Sequence, residues 1–109
     1  MTKTEYLLIT LMEECAELQK EASKSLRFGL DNYHPLTETL NKQRLYDEFL
    51  DVFALMYLVI LNADINTQSN IHNMLLELYK NQSDKDKVEQ KLRKVMYFMK
   101  KTIGENNGA

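Results

Sequence analysis

The stretch Glu48-Phe49-Leu50-Asp51, running on into Val52-Phe53-Ala54-Leu55-Met56-Tyr57-Leu58-Val59-Ile60-Leu61, decides how the rest of the chain must be read. Its apolar run from Val52 to Leu61 is about half the roughly 20 residues needed to cross a bilayer, and two acids stand just before it, so it is not a membrane span. Placed on a helix, Phe49, Leu50, Val52, Phe53, Leu55, Met56, Tyr57, Leu58, Val59 and Ile60 point in every direction around the axis. A helix apolar all round must be buried all round. A chain of 109 residues holds one domain and has too few other helices to surround this one. Part of its surface is therefore expected to lie against the same helix of another subunit, in a homodimer or homotetramer. The fold class this implies is all-α, a bundle of four to five helices completed by oligomerisation.

Outward from that helix, the other segments carry helical signals too. Thr2 and Glu5 have the spacing of a capping box, and a first helix is expected to run to about Arg27, ended by Phe28-Gly29. Leu8, Leu11, Met12, Cys15, Leu18, Ala22 and Leu26 form one apolar stripe along it, which predicts that this stripe, Cys15 included, faces the core. Gly29, Asp31, Asn32 and Pro35 make Gly29 to Leu36 the principal loop. The apolar second helix ends near Asn62. A shorter third helix starting near Thr67 presents Ile71, Leu75, Leu78 and Tyr79. Ser83-x-x-Asp86 opens a fourth with Val88, Leu92, Val95, Met96 and Met99 at spacings of three and four, closed by Gly104. One helical domain over 1–104 and a polar tail over 105–109 follow. Three glycines and a single proline argue against an all-β fold.

Hydrophobic residues make up 44% and charged residues 28%, a globular composition. Fourteen Lys and Arg against sixteen Asp and Glu leave a net charge of −2, so there is no broad cationic surface for duplex nucleic acid. The single Cys15 cannot form an internal disulfide, and the start MTKTEYLL lacks the regions of a signal peptide, so a cytoplasmic location is expected.

The chemistry lies in the carboxylates. The first helix carries Glu13-Glu14-Cys15-Ala16-Glu17 and the second Glu48-Phe49-Leu50-Asp51, each with acids at i and i+3. That spacing puts both side chains of a pair on one side of the helix, about 5 to 6 Å apart at Cβ. Two such helices packed together offer a cluster of oxygen donors suited to Mg²⁺ or Mn²⁺, which take the rest of their coordination from water and substrate phosphate. An EExxE string alone is usually a solvated face, and Glu13 belongs there. The wheel also sets Glu17 away from the apolar stripe. Glu48 and Asp51 differ: their stripe continues into Leu55 and Leu58, where unpaired carboxylates would each lose several kcal/mol in desolvation. Arg44, Lys42, Lys24 or a divalent cation are the compensating groups in reach. A di-iron bundle would need Glu-x-x-His pairs, and the residues three before His34 and His72 are Asp31 and Ser69. No CxxC, HExxH or Gly-rich phosphate loop is present.

These residues resemble the MazG-like all-α nucleoside triphosphate pyrophosphohydrolases. Glu13-Glu14-x-x-Glu17 followed by Glu48-x-x-Asp51 carries the resemblance, with Ser23-Lys24-x-Leu26-Arg27-Phe28-Gly29, Asn41 and Arg44, and more weakly Lys87-Val88-Glu89. It extends over most of residues 4 to 104 and is closest to the small single-domain members common in phage and bacterial genomes. The resemblance implies a MazG-like helical bundle and hydrolysis of the α,β bond of nucleoside triphosphates, usually deoxynucleotides, to the monophosphate and pyrophosphate. It also implies Mg²⁺, with Mn²⁺ as a substitute, held by Glu14, Glu17, Glu48 and Asp51. About thirty residues separate Glu17 from Glu48, slightly more than the family's usual spacing, with the extra length in the Gly29 to Thr39 loop.

Attack of water beside a polyanion needs charge neutralisation and an oriented nucleophile, both of which a divalent cation supplies. Glu17 and Glu48 are the expected catalytic carboxylates, Glu17 helping to deprotonate the attacking water. Lys24, Arg27 and Arg44 lie one or two turns from the acids and are the expected phosphate-facing cations. Phe28 or Tyr33 offers a ring to stack a base, and Asn32 or Asn41 an amide to read its edge. Two other readings remain: a pyrophosphohydrolase of a different substrate such as phosphoribosyl-ATP, and a non-catalytic helical interaction module whose acids only form ion pairs.

Overall fold

Thr2 and Glu5 close their capping box in both directions: the Glu5 amide donates to Thr2 Oγ1 at 3.1 Å, and the Thr2 amide donates to Glu5 Oε1 at 2.9 Å. From there the computed structural model, which describes residues 1–33, 38–63 and 68–104, runs as helix α1 over Lys3–Phe28. Gly29 stops it, with φ at +95° and its amide donating to Ser25 O at 2.9 Å. A side chain there would be strained and would press on the Asn32 amide. The chain returns antiparallel as α2, Asn41–Ala63, followed by α3, Gln68–Leu78, and α4, Gln82–Ile103. The expected start of the third helix at Thr67, the loop residues His34 to Leu36 and the tail 105–109 lie outside the described residues.

Among the described residues the fold is all-α with four helices, and the only strand-like pairing is an isolated bridge between Tyr33 and Leu40. No helix among them is long and apolar enough to cross a membrane. The opening of α4 differs in detail from the sequence expectation. Asn81, not Ser83, is the cap, because its side-chain oxygen accepts the Asp84 amide at 3.0 Å while Ser83 already lies inside the helix.

Two clusters make the core. Leu50, Phe53, Ala54 and Tyr57 of α2 pack with Ile71 and Leu75 of α3 and Val88 of α4. Leu7 of α1, Leu55 of α2 and Val95 of α4 form the second, with Leu11, Leu58 and Met99 against them. Polar contacts fix the register: Asn62 donates to Thr4 Oγ1 at 2.7 Å, Lys87 pairs with Asp47 at 2.9 Å, and Tyr46 donates to Asp84 Oδ2 at 2.6 Å.

The expected core stripe of α1 packs only in part: Leu11 and Leu18 lie on the side turned to α2, while the rest of it faces out. Met12 is 71% and Leu26 88% exposed, and Leu8, Cys15 and Ala22 are exposed as well. The side of α1 turned to α2 is Leu7, Leu11, Glu14, Leu18, Glu21 and Ser25, spaced alternately by four and three. Its C-terminal half is polar, and it is chosen because α2 and α4 bring cations to meet its acids. Within one chain α2 is left partly uncovered: Phe49 is exposed and Val52 and Met56 are half-buried. Both open stripes stand about 100° from the α1–α2 contact in the direction of increasing residue number. In antiparallel helices that common sense of rotation brings them to the same side of the pair. On α1 this side holds an open apolar groove of about 690 Å³ lined by Leu11, Met12, Cys15, Ala16, Leu18, Gln19 and Ala22.

Truncation separates the packed side of α1 from an ordinary exposed position. Leu7→Ala is expected to lower stability by about 2–5 kcal/mol in urea denaturation, whereas Leu76→Ala on the outer side of α3 stays within about 0.5 kcal/mol.

Candidate metal centre

Glu14 on α1 meets Glu48 and Asp51 on α2, and each of the three offers a carboxylate oxygen within 4.8 Å of the others. The i, i+3 spacing puts Glu48 and Asp51 on one side of α2, and the alternating four-and-three stripe of α1 turns Glu14 toward them. All three are half-buried. Hard oxygen donors at this separation suit a divalent cation of the Mg²⁺ or Mn²⁺ kind.

The electrostatics identify Glu48 as the centre of the group. Burial raises its carboxyl above the ordinary carboxylate range, and the charges of Asp51, Glu14, Glu17 and Glu21 push it further. It has no ion-pair partner among the described residues. Asp51 is raised as well, first by burial; Lys91 pulls it down, Glu14 pushes it up, and Lys87 and Asp47 act in opposite directions after them. An excess of negative charge in a partly desolvated space is what a bound cation would relieve.

The four expected ligands do not all stand alike. Glu14, Glu48 and Asp51 come together, while Glu17 is exposed and outside the cluster, although Glu48 feels its charge. Glu13 is exposed. Among the cations expected to compensate the α2 acids, Lys42 instead pairs with Asp31 at 2.6 Å. Lys24 and Arg44 each approach Glu21 Oε1 at 3.4 Å. Asn41 is buried and its amide donates to Gly29 O at 3.0 Å, so it pins the loop after α1 to the start of α2. Arg27 lies over the Phe28 ring at 5.2 Å with no carboxylate partner among the described residues, and both are exposed beside that loop. Tyr33 is exposed, and Asn32 donates its amide to Phe28 O.

Two site residues escaped the sequence reading. Lys91 of α4 reaches Glu14 Oε1 at 2.5 Å and stands 4.0 Å from Asp51 Oδ2. Its signal was positional: it falls between buried Val88 and Val95 at spacings of three and four, a lysine on a core-facing stripe. Glu21 lies seven residues after Glu14 on the same side of α1 and is only 2% exposed. Among the described residues its Oε2 has no hydrogen-bond partner, and neither do the buried Ser25 Oγ and Arg44 Nε. Comparison with protein families, with characterised proteins and with solved structures finds no match for this chain.

The raised carboxyls fix the sign of the pH dependence. Between the ordinary carboxylate pKa near about 4 and the raised folded value, the folded chain binds more protons than the unfolded one, so this pair's contribution to stability is lost as pH rises through that window. Without divalent ions, Glu48→Gln is therefore expected to melt above the native protein at about pH 7, with the difference closing near about pH 4. Thermal unfolding followed by circular dichroism at the two pH values checks it.

Proposed function

We propose that this chain is a Mg²⁺-dependent nucleotide pyrophosphohydrolase, cleaving the α,β bond of a nucleoside triphosphate to release the monophosphate and pyrophosphate. The observation that carries the reading is the convergence of Glu14, Glu48 and Asp51 from two helices, with Glu48 in no ion pair among the described residues and its carboxyl raised. The choice of bond and of nucleotide comes from the MazG-like pattern of these acids. Glu14, Glu48 and Asp51 would hold the cation, Mg²⁺ or Mn²⁺, through oxygen. Bound there, it would neutralise phosphate charge and polarise the scissile anhydride.

The remaining roles fall to the chain's own groups. Glu17, exposed and outside the cluster though its charge reaches Glu48, would accept a proton from the attacking water. Arg27, with its guanidinium uncommitted to any carboxylate among the described residues, and Phe28 stand at the loop end of α1, where a triphosphate and its base would enter. Lys24 and Arg44 serve first as counter-charges to the buried Glu21. The Glu14–Lys91 ion pair favours the second reading, an interaction module whose acids are structural.

The assembly belongs to the same proposal. The open stripes of α1 and α2 lie on one side of the molecule, and two copies pairing through them would complete a bundle. The charged flank beside the α1 stripe is acidic at Glu13 and basic at Lys20, and neither has an ion-pair partner among the described residues. Antiparallel pairing brings the same flank of both helices together and sets Glu13 of each copy opposite Lys20 of the other. A homodimer is therefore the expected unit, in the cytoplasm.

Incubation with each deoxynucleoside triphosphate, with and without Mg²⁺, should yield monophosphate and pyrophosphate only with the ion. Glu48→Gln should abolish turnover while remaining folded, and Arg27→Gln should raise KM more than it lowers kcat. Diphosphate as product, or full activity in Glu48→Gln, would sink the assignment. Light scattering should give twice the chain mass for the native protein and a shift to the monomer for Met12→Glu.

A further inference from the structure

We propose that Lys91 is a tethered cation occupying the acid cluster, which a divalent ion must displace before the site can work. This rests on the metal-site reading above. The Lys91 ammonium contacts Glu14 and stands near Asp51, two of the three carboxylates that form the oxygen set. Ammonium and divalent ion thus need the same oxygens, and two like charges in one half-buried space exclude each other. One ammonium against three carboxylates still leaves the cluster negative, so a second, stronger cation has reason to enter.

The chain is built for such an exchange. Val88 and Val95, buried on either side, hold that part of α4 in place, and the lysine stem has enough rotatable bonds to withdraw its ammonium without moving the helix. Lys87, one turn earlier, is held by Asp47 at 2.9 Å and is not free to take over. With the ion absent, Lys91 keeps Glu14 and Asp51 from repelling each other. With the ion bound, the displaced ammonium would be available to a phosphate of an incoming nucleotide.

The test is Mn²⁺ binding to the nucleotide-free protein, read from the electron paramagnetic resonance of unbound Mn²⁺, for the native chain, Lys91→Met and Lys94→Met. Lys94 is an exposed lysine of the same helix and controls for net charge. Lys91→Met is expected to bind about tenfold more tightly, with Lys94→Met unchanged. Equal or weaker binding by Lys91→Met, where the native protein binds, overturns the displacement and leaves the metal site standing. Failure of both to bind at millimolar Mn²⁺ overturns the site and the displacement together. If Lys91→Met does not fold, the native protein suffices: on adding Mg²⁺, the Cε resonance of Lys91 in isotopically labelled protein should move toward that of a solvent-exposed lysine. A stationary resonance, while Mg²⁺ raises the melting temperature, overturns the proposal.

Discussion

The burial of carboxylates between α1 and α2 is the constraint to which the rest of the structure answers. Glu14, Glu21, Glu48 and Asp51 all lie at or beside one helix–helix contact. Removing such groups from water without compensation is unfavourable by several kcal/mol each. The chain meets the cost with cations drawn from three segments: Lys24 from α1 itself, Arg44 from α2 and Lys91 from α4. The Arg44–Glu21 and Lys91–Glu14 pairs join different helices and, with the apolar clusters, favour the side of α1 that faces inward.

The compensation is incomplete, and its incompleteness is localised. Among the described residues, Glu21 has two cations on one oxygen and none on the other, and Glu48 has no ion-pair partner. A protein selected for stability alone would fill these positions with apolar side chains of similar volume, which commonly stabilises such sites. Glu48 thus keeps a half-buried carboxylate, raised by burial and by its acidic neighbours, directly before the apolar half of α2. The helices holding these groups are long and well packed, so the geometry sits on rigid elements and not on loops.

The open apolar side of the α1–α2 pair and the acid cluster are two consequences of one assignment. Had α1 turned its most apolar stripe inward, Met12 and Leu26 would be covered and Glu14 and Glu21 would lie in water, each behaving as ordinary surface charge. Because the mixed stripe packs instead, the acids are desolvated and the apolar stripe is left facing out. Apolar surface of this extent is characteristic of a face that meets another protein surface.

Much of the fold was legible in the chain itself. The capping box at Thr2 and Glu5, the break at Gly29, the apolar run of the second helix and the Gly104 terminus are local signals, governed by backbone sterics and nearest-turn hydrogen bonds, and they fixed four helices. The i, i+3 acids were also legible, because helix periodicity alone puts each pair on one side. Which stripe of α1 faces α2 was not. Hydropathy ranks stripes by their own apolar content, whereas packing is decided by what the facing helices bring, here Arg44 and Lys91 from 23 and 77 residues away from their partners. For the same reason, only the tertiary structure could separate Glu14 from Glu17 and bring Lys91 to the acids. Charge pairing across the bundle depends on distance in space, and sequence spacing carries that distance only within a single helix.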